Sequence, residues 1–130
     1  MKYHIDATLP ENNEVFVFGS NLAGIHGAGA ALAAKKFFGA EMGVGFGMTG
    51  NSFAIPTKDE GIDTLPVIDI IPFVNKFKEF TKANPDKEFF VTGIGCGLAG
   101  RKPEEIAHLF IGCGDNCSFP DNWKPYMETV

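Results

Sequence analysis

Three short apolar runs, each giving way to a loop that is rich in glycine or closed by proline, limit how this chain can fold. VFVF at residues 15–18 is bounded by Asn12, Asn13 and Gly19 and suits a strand buried on both faces. SFAIP at 52–56 predicts a short strand that stops at its proline, which has no N–H to give a ladder. EFFVT at 88–92 is the next buried strand. Helical patterns lie between and after these runs. GAALAAKKFF at 29–38 is alanine-rich and ends at Gly39. Ile70, Val74, Phe77 and Phe80 keep a three-to-four spacing over residues 69–83, with Pro72 tolerated if the helix begins near Asp69 and keeps the proline in its first turn. Pro103 starts another helix to about residue 110, with Glu104 and Glu105 favouring its positive end. Residues 42–50, with four glycines, form loop or strand edge, and 116–119 supply a last strand before the turn at PDNW. Strands alternating with helices predict an α/β sandwich around a largely parallel sheet.

Composition narrows the class. With 130 residues the chain has enough sequence for one core, so residues 1–130 are expected to form a single domain. Hydrophobic residues at 45 % and charged residues at 21 % fit a folded protein. A net charge of -5, with lysines and arginines scattered among acids, gives no footprint for a nucleic-acid backbone as the main partner. The start, MKYHIDATLP, lacks the apolar core of an export signal, and no stretch approaches the ~18 apolar residues of a membrane span. A cytoplasmic protein without a membrane partner is expected. Cys96, Cys113 and Cys117 are an odd number for a disulfide framework, and Cys113-x-x-x-Cys117 with His108 lacks a second ligand pair for zinc. Small buried thiols, with no metal and no resident cofactor, are the expectation.

In parallel sheets ligands collect at the carboxyl ends of strands, and the unusual residues fall there. The first strand runs into GSNLAGIHGAG, the second into IPTKD and the third into TGIGCGLAG. Two glycine-rich loops, one opening a helix, would bring backbone N–H groups and a helix dipole to an anion from both sides. The alternative is that the glycines serve only tight turns and close packing. Gly95, Gly97 and Gly100 also match G-x-G-x-x-G, but a Rossmann fingerprint belongs at the first βαβ turn with its helix starting inside the motif, whereas Pro103 delays the helix beyond Gly100. A P-loop motif is absent from the sequence.

SNLAGIHGAGAA (20–31), AIPTK (54–58) and IGCGLAG (94–100), in that order, resemble the macrodomains, which bind ADP-ribose. The likeness is nearest to the branch holding the terminal ADP-ribose protein glycohydrolase and O-acyl-ADP-ribose deacylases, and it spans about residues 15–110. It implies a macrodomain-like three-layer α/β/α sandwich with a mixed, largely parallel sheet. It also implies that Asn21 approaches the distal ribose, while the backbones of Gly27, Ala28 and Gly29 and of Gly95, Cys96, Gly97 and Leu98 surround the diphosphate. In that branch a lysine after the middle strand acts on the sugar, which Lys58 matches, and an acid follows G-C-G-L, where this chain has Ala99.

A lysine amine attacking a sugar aldehyde needs a group that moves protons, and alanine cannot. Asp59 is a substitute only if it turns to the same face as Lys58, its neighbour in an extended segment, and Lys58-Asp59-Glu60 is otherwise a solvated turn. His26 would donate to phosphate or act as a base, or else simply cap its loop. Cys96 is either a thiol activated by N–H dipoles or a small side chain filling space beneath the loop, the latter ranking first. Phe46 or Phe53 is a candidate to stack on adenine, the other Phe residues and Trp123 reading as core. The leading expectation is a binder of ADP-ribose or a related NAD-derived metabolite; hydrolysis of ADP-ribosyl or O-acyl-ADP-ribose linkages, with Lys58 as the candidate catalytic residue, is left open by Ala99. The rivals are a non-catalytic reader of ADP-ribosylated macromolecules and an interaction module without a small ligand.

Overall fold

The computed structural model describes residues 1–11 and 13–128. Among these residues six strands form one sheet in the order β1-β6-β5-β2-β4-β3. They are β1 (Lys2–His4), β2 (Val15–Asn21), β3 (Gly47–Thr49), β4 (Ser52–Lys58), β5 (Phe89–Val91) and β6 (Cys117–Pro120). Every pairing is parallel except that of β3 with β4. Among the described residues four helices accompany them: α1 (Gly29–Phe37), α2 (Val67–Ala83), α3 (Pro103–Ile106) and α4 (Lys124–Met127), with 3-10 turns at Ala107–Phe110 and Asp121–Trp123.

Period-2 alternation sends neighbouring side chains to opposite faces, and each face has its own core. Val15, Val17, Phe53, Ile55, Phe89 and Val91 pack with Ile70, Val74 and Phe77 of α2 and with Phe110 and Trp123. Phe16, Phe18, Ala54 and Phe90 pack with Ala31 and Ala34 of α1. The apolar runs have no polar alternation because both faces are covered. Phe77 is fully buried and meets Phe53, Phe89 and Phe110 at ring separations of 5.0, 5.6 and 5.9 Å. Burying one such ring contributes roughly 1.5–3 kcal/mol.

Several elements differ from the sequence expectation for identifiable reasons. β2 continues past residue 18 to Asn21, and β4 continues through Pro56 to Lys58. The Phe16 N–H donates to the Asn51 carbonyl, so N–H groups at 53, 55 and 57 face β2 and the position of Pro56 faces the other flank. There β3 pairs β4 only as far as Ala54, so the missing donor interrupts no ladder bond. α2 begins at Val67 rather than near Asp69, which places Pro72 inside the helix rather than in its first turn. Pro72 and Ile68, whose carbonyl the proline leaves without its helical donor, are both exposed, so water can serve that carbonyl. The segment after Pro103 tightens at Ala107 from α to 3-10.

Asn116 Nδ2 lies within hydrogen-bond distance of the carbonyls of Thr81, Asn84 and Lys87, fastening the entry of β6 to the end of α2, where helical carbonyls lack donors. Among the described residues no helix is long and apolar enough to cross a membrane.

Candidate functional site

The sheet order sets β4, β2 and β5 side by side, and being parallel they end at the same edge. The last residues of β2 and β4, with Thr92 just beyond β5, line a cleft of about 270 Å³ together with the loops that follow each strand. Asn21 pairs with Lys58 in the register, and Gly19 lies beneath the third loop. A Cβ at Gly19 would stand 3.4 Å from the Gly95 nitrogen and 3.5 Å from Thr57 Oγ1, so the end of β2 lies in van der Waals range of the third loop.

The first loop is shaped by Asn21. Its Nδ2 donates to the Ile25 carbonyl at 2.8 Å, and its Oδ1 accepts from the Ile25 N–H at 2.9 Å. Asn21 lines the cleft, yet its amide is committed to holding this turn. The chain then enters α1, the first turn of which has N–H groups without helical acceptors. Among the described residues, the N–H groups of Gly27, Ala28, Gly29, Ala30 and Ala31 have no acceptor in the protein, and all five residues line the cleft.

The third loop has the same property. Cys96 N–H closes on the Gly93 carbonyl at 2.9 Å, Gly100 on Gly97 at 3.0 Å and Arg101 on Gly95 at 2.7 Å. Gly95 and Gly100 both take φ +75°, open to glycine at little cost. These turns leave the N–H groups of Gly93, Gly95, Gly97, Leu98 and Ala99 unpaired within the described protein, again on residues lining the cleft. The Leu98 side chain crosses towards α1, since a Cβ on Gly29 would sit 3.4 Å from Leu98 Cδ1.

Lys58 is the one ionisable side chain lining the cleft among the described residues. No salt bridge among the described residues involves it. Asp59 turns to its own loop, where Oδ1 accepts from the N–H groups of Gly61 at 2.8 Å and Asp63 at 3.0 Å. Ala99 lines the cleft, and its carbonyl accepts from Thr64 Oγ1 at 2.9 Å. Among the described residues the lining therefore combines unpaired N–H groups and one ammonium with no carboxylate, which suits an anion.

His26 and Cys96 are not among the residues lining the cleft. His26 is buried, in a T-shaped contact with the Phe18 ring and with Nε2 at 2.9 Å from the Glu41 carbonyl. A carbonyl only accepts, so Nε2 carries the proton and the buried Nδ1 is left without a partner. Burial, and secondarily the charge of Asp6, pushes the Cys96 thiol up to about 11. It is thus protonated at neutral pH and packs against the core on the α2 side. Cys113 is likewise raised, first by its hydrogen bond with Cys117 and then by burial. Among the described residues no three His, Cys, Asp or Glu side chains are placed to share a metal.

Phe53 is buried against Phe77 and Phe80, and Phe46 packs on Phe53 and Phe73, so neither of these aromatics lines the cleft. Sequence reasoning missed Ile62 and Thr64. The Asp59-x-Gly61 spacing was the available signal, because an aspartate commonly caps a turn two residues on.

Comparison with known proteins gave no matching family model, no matching curated protein and no matching solved structure.

Proposed function

We propose that this chain is a macrodomain-like cytoplasmic protein, a three-layer α/β/α sandwich whose cleft binds ADP-ribose or a closely related NAD-derived metabolite by its diphosphate. The observation that carries the proposal is that residues 27–31 and Gly93, Gly95, Gly97, Leu98 and Ala99, all with N–H groups unpaired within the described protein, line one cleft together with Lys58, with no carboxylate among its described lining. Each diphosphate oxygen would accept from N–H groups already held in place, and hydrogen bonds to a charged partner are worth about 1.5–3 kcal/mol each. The positive end of α1 adds to the attraction. The adenosine half of the assignment rests on the resemblance of the three loop motifs to those of macrodomains.

Hydrolysis of an ADP-ribosyl or O-acyl-ADP-ribose linkage would depend on Lys58, which lines the cleft. A second reading, a non-catalytic reader of ADP-ribosylated macromolecules, is favoured by Ala99 and by the commitment of Asp59 to its own turn. Thermal denaturation with ADP-ribose tests the binding. A ligand at a hundred times its dissociation constant adds about 2.7 kcal/mol of stability, and no shift with ADP-ribose, NAD or ADP would overturn the proposal. Incubating ADP-ribosylated protein and O-acetyl-ADP-ribose with wild type and Lys58→Ala separates the two readings. Turnover lost in Lys58→Ala supports the enzyme, whereas equal inactivity with binding intact leaves the reader.

A further inference from the structure

Ile62 is a β-branched residue in the cleft wall held at φ +67°. Side chains branched at Cβ rarely adopt that conformation, and where they do the surroundings impose it. Here the turn around Asp59 does so. Asp59 Oδ1 holds the N–H groups of Gly61 and Asp63, the Asp59 N–H donates to the Asp63 carbonyl at 2.8 Å, and the Ile62 N–H donates to the Asp59 carbonyl at 3.1 Å.

The strain places an aliphatic side chain where it is 46 % exposed at the cleft rather than packed in a core. Ile25 from the first loop, also 46 % exposed, and Leu98 from the third, 69 % exposed, line the same cleft. The first and third loops offer unpaired N–H donors for phosphate, while Ile25, Leu98 and Ile62 offer three hydrocarbon surfaces. A bare diphosphate would use only the donors, but a ligand carrying a ring beyond the diphosphate would also cover the hydrocarbon. Ile62 shares its loop with Lys58, and Lys58 bridges to Thr64 just beyond Ile62.

We infer that Ile62 is a specificity-determining residue, presented by its strained turn to the C–H face of the sugar on the distal phosphate, so that the cleft prefers ADP-ribose to ADP. This rests on the ADP-ribose reading above. Ile62→Gly is the informative variant, because glycine takes a positive φ freely and its fold should be no less stable than wild type. Thermal midpoints and dissociation constants for ADP-ribose and ADP should be measured on wild type, Ile62→Gly and Ile62→Asn, asparagine also tolerating this conformation. The expected result is an unchanged or raised midpoint for Ile62→Gly. In both variants ADP-ribose should bind about tenfold more weakly, with ADP changed by less than about twofold. Unchanged ADP-ribose affinity, or equal losses for both nucleotides, would overturn the inference while leaving the binding reading in place. A wild-type chain that binds neither nucleotide would overturn both.

Discussion

Thr64 Oγ1 donates to the Ala99 carbonyl at 2.9 Å, so the loop after β4 braces the loop after β5. Thr64→Val keeps the shape and removes the donor. An exposed neutral hydrogen bond contributes about 0.5–1.5 kcal/mol, so urea denaturation should show a loss within that range. ADP-ribose affinity should fall as well, because residues 97–99 would need ordering on binding. Calorimetric titration checks the second effect.

Gly24 and Gly27 lie in one loop but should respond in opposite ways to alanine. Gly24 has φ +70°, and a Cβ there would stand 2.5 Å from the Val44 nitrogen and 2.7 Å from Gly43 Cα. Gly24→Ala should lose roughly 2–5 kcal/mol of stability. Gly27 and Gly97 have no atom within 4 Å of an added Cβ and no positive φ. Gly27→Ala and Gly97→Ala should stay within about 0.5 kcal/mol of wild type while placing a methyl at the cleft and weakening ADP-ribose. Paired denaturation and titration curves separate fold from site.

Asn21→Ala removes both bonds to Ile25 and leaves the Ile25 N–H and carbonyl without that partner. A loss of about 1–3 kcal/mol is expected. Slower amide exchange at Ile25 in wild type than in the variant would report the same bonds directly. Equal exchange in the two proteins would contradict the role given to Asn21.

The pH dependence of stability has two flanks. Burial lowers His4 from the ordinary 6.5, and its ring stacks on Phe90 at 3.7 Å. The unfolded chain therefore takes up the proton first on acidification, and this contribution, present above pH 6.5, fades as pH falls through the folded value. Cys96 and Tyr3 are raised mainly by burial, from 9.0 to about 11 and from 10.0 to about 12. Their contributions are complete below the ordinary values and are lost as pH climbs to about 11 and 12. Chemical denaturation across pH should show a plateau between these limits, with a shallower alkaline fall in Cys96→Ala.

Runs such as VFVF and EFFV were legible as strands because burial on both faces leaves no polar residues to blur them. β1 was not, since Lys2–His4 is an edge strand of three mixed residues that gains its place only by pairing with β6. The prolines misled at both positions. Pro56 and Pro72 are tolerated through sheet-edge position and solvent exposure, which depend on tertiary neighbours that a local rule does not contain. At the cleft, the glycine loops announced themselves by composition. The rest depended on folding: His26 turns to Phe18, Cys96 sinks against the core, and Ile62 is forced outward by an aspartate three residues before it.

The most direct test is a crystal structure of the wild-type chain with ADP-ribose. The expected result is a diphosphate between residues 27–31 and 93–99, its oxygens about 2.7–3.2 Å from backbone nitrogens such as those of Gly29 and Gly97. Nucleotide bound elsewhere on the molecule, or a cleft still empty at saturating ADP-ribose, would contradict it.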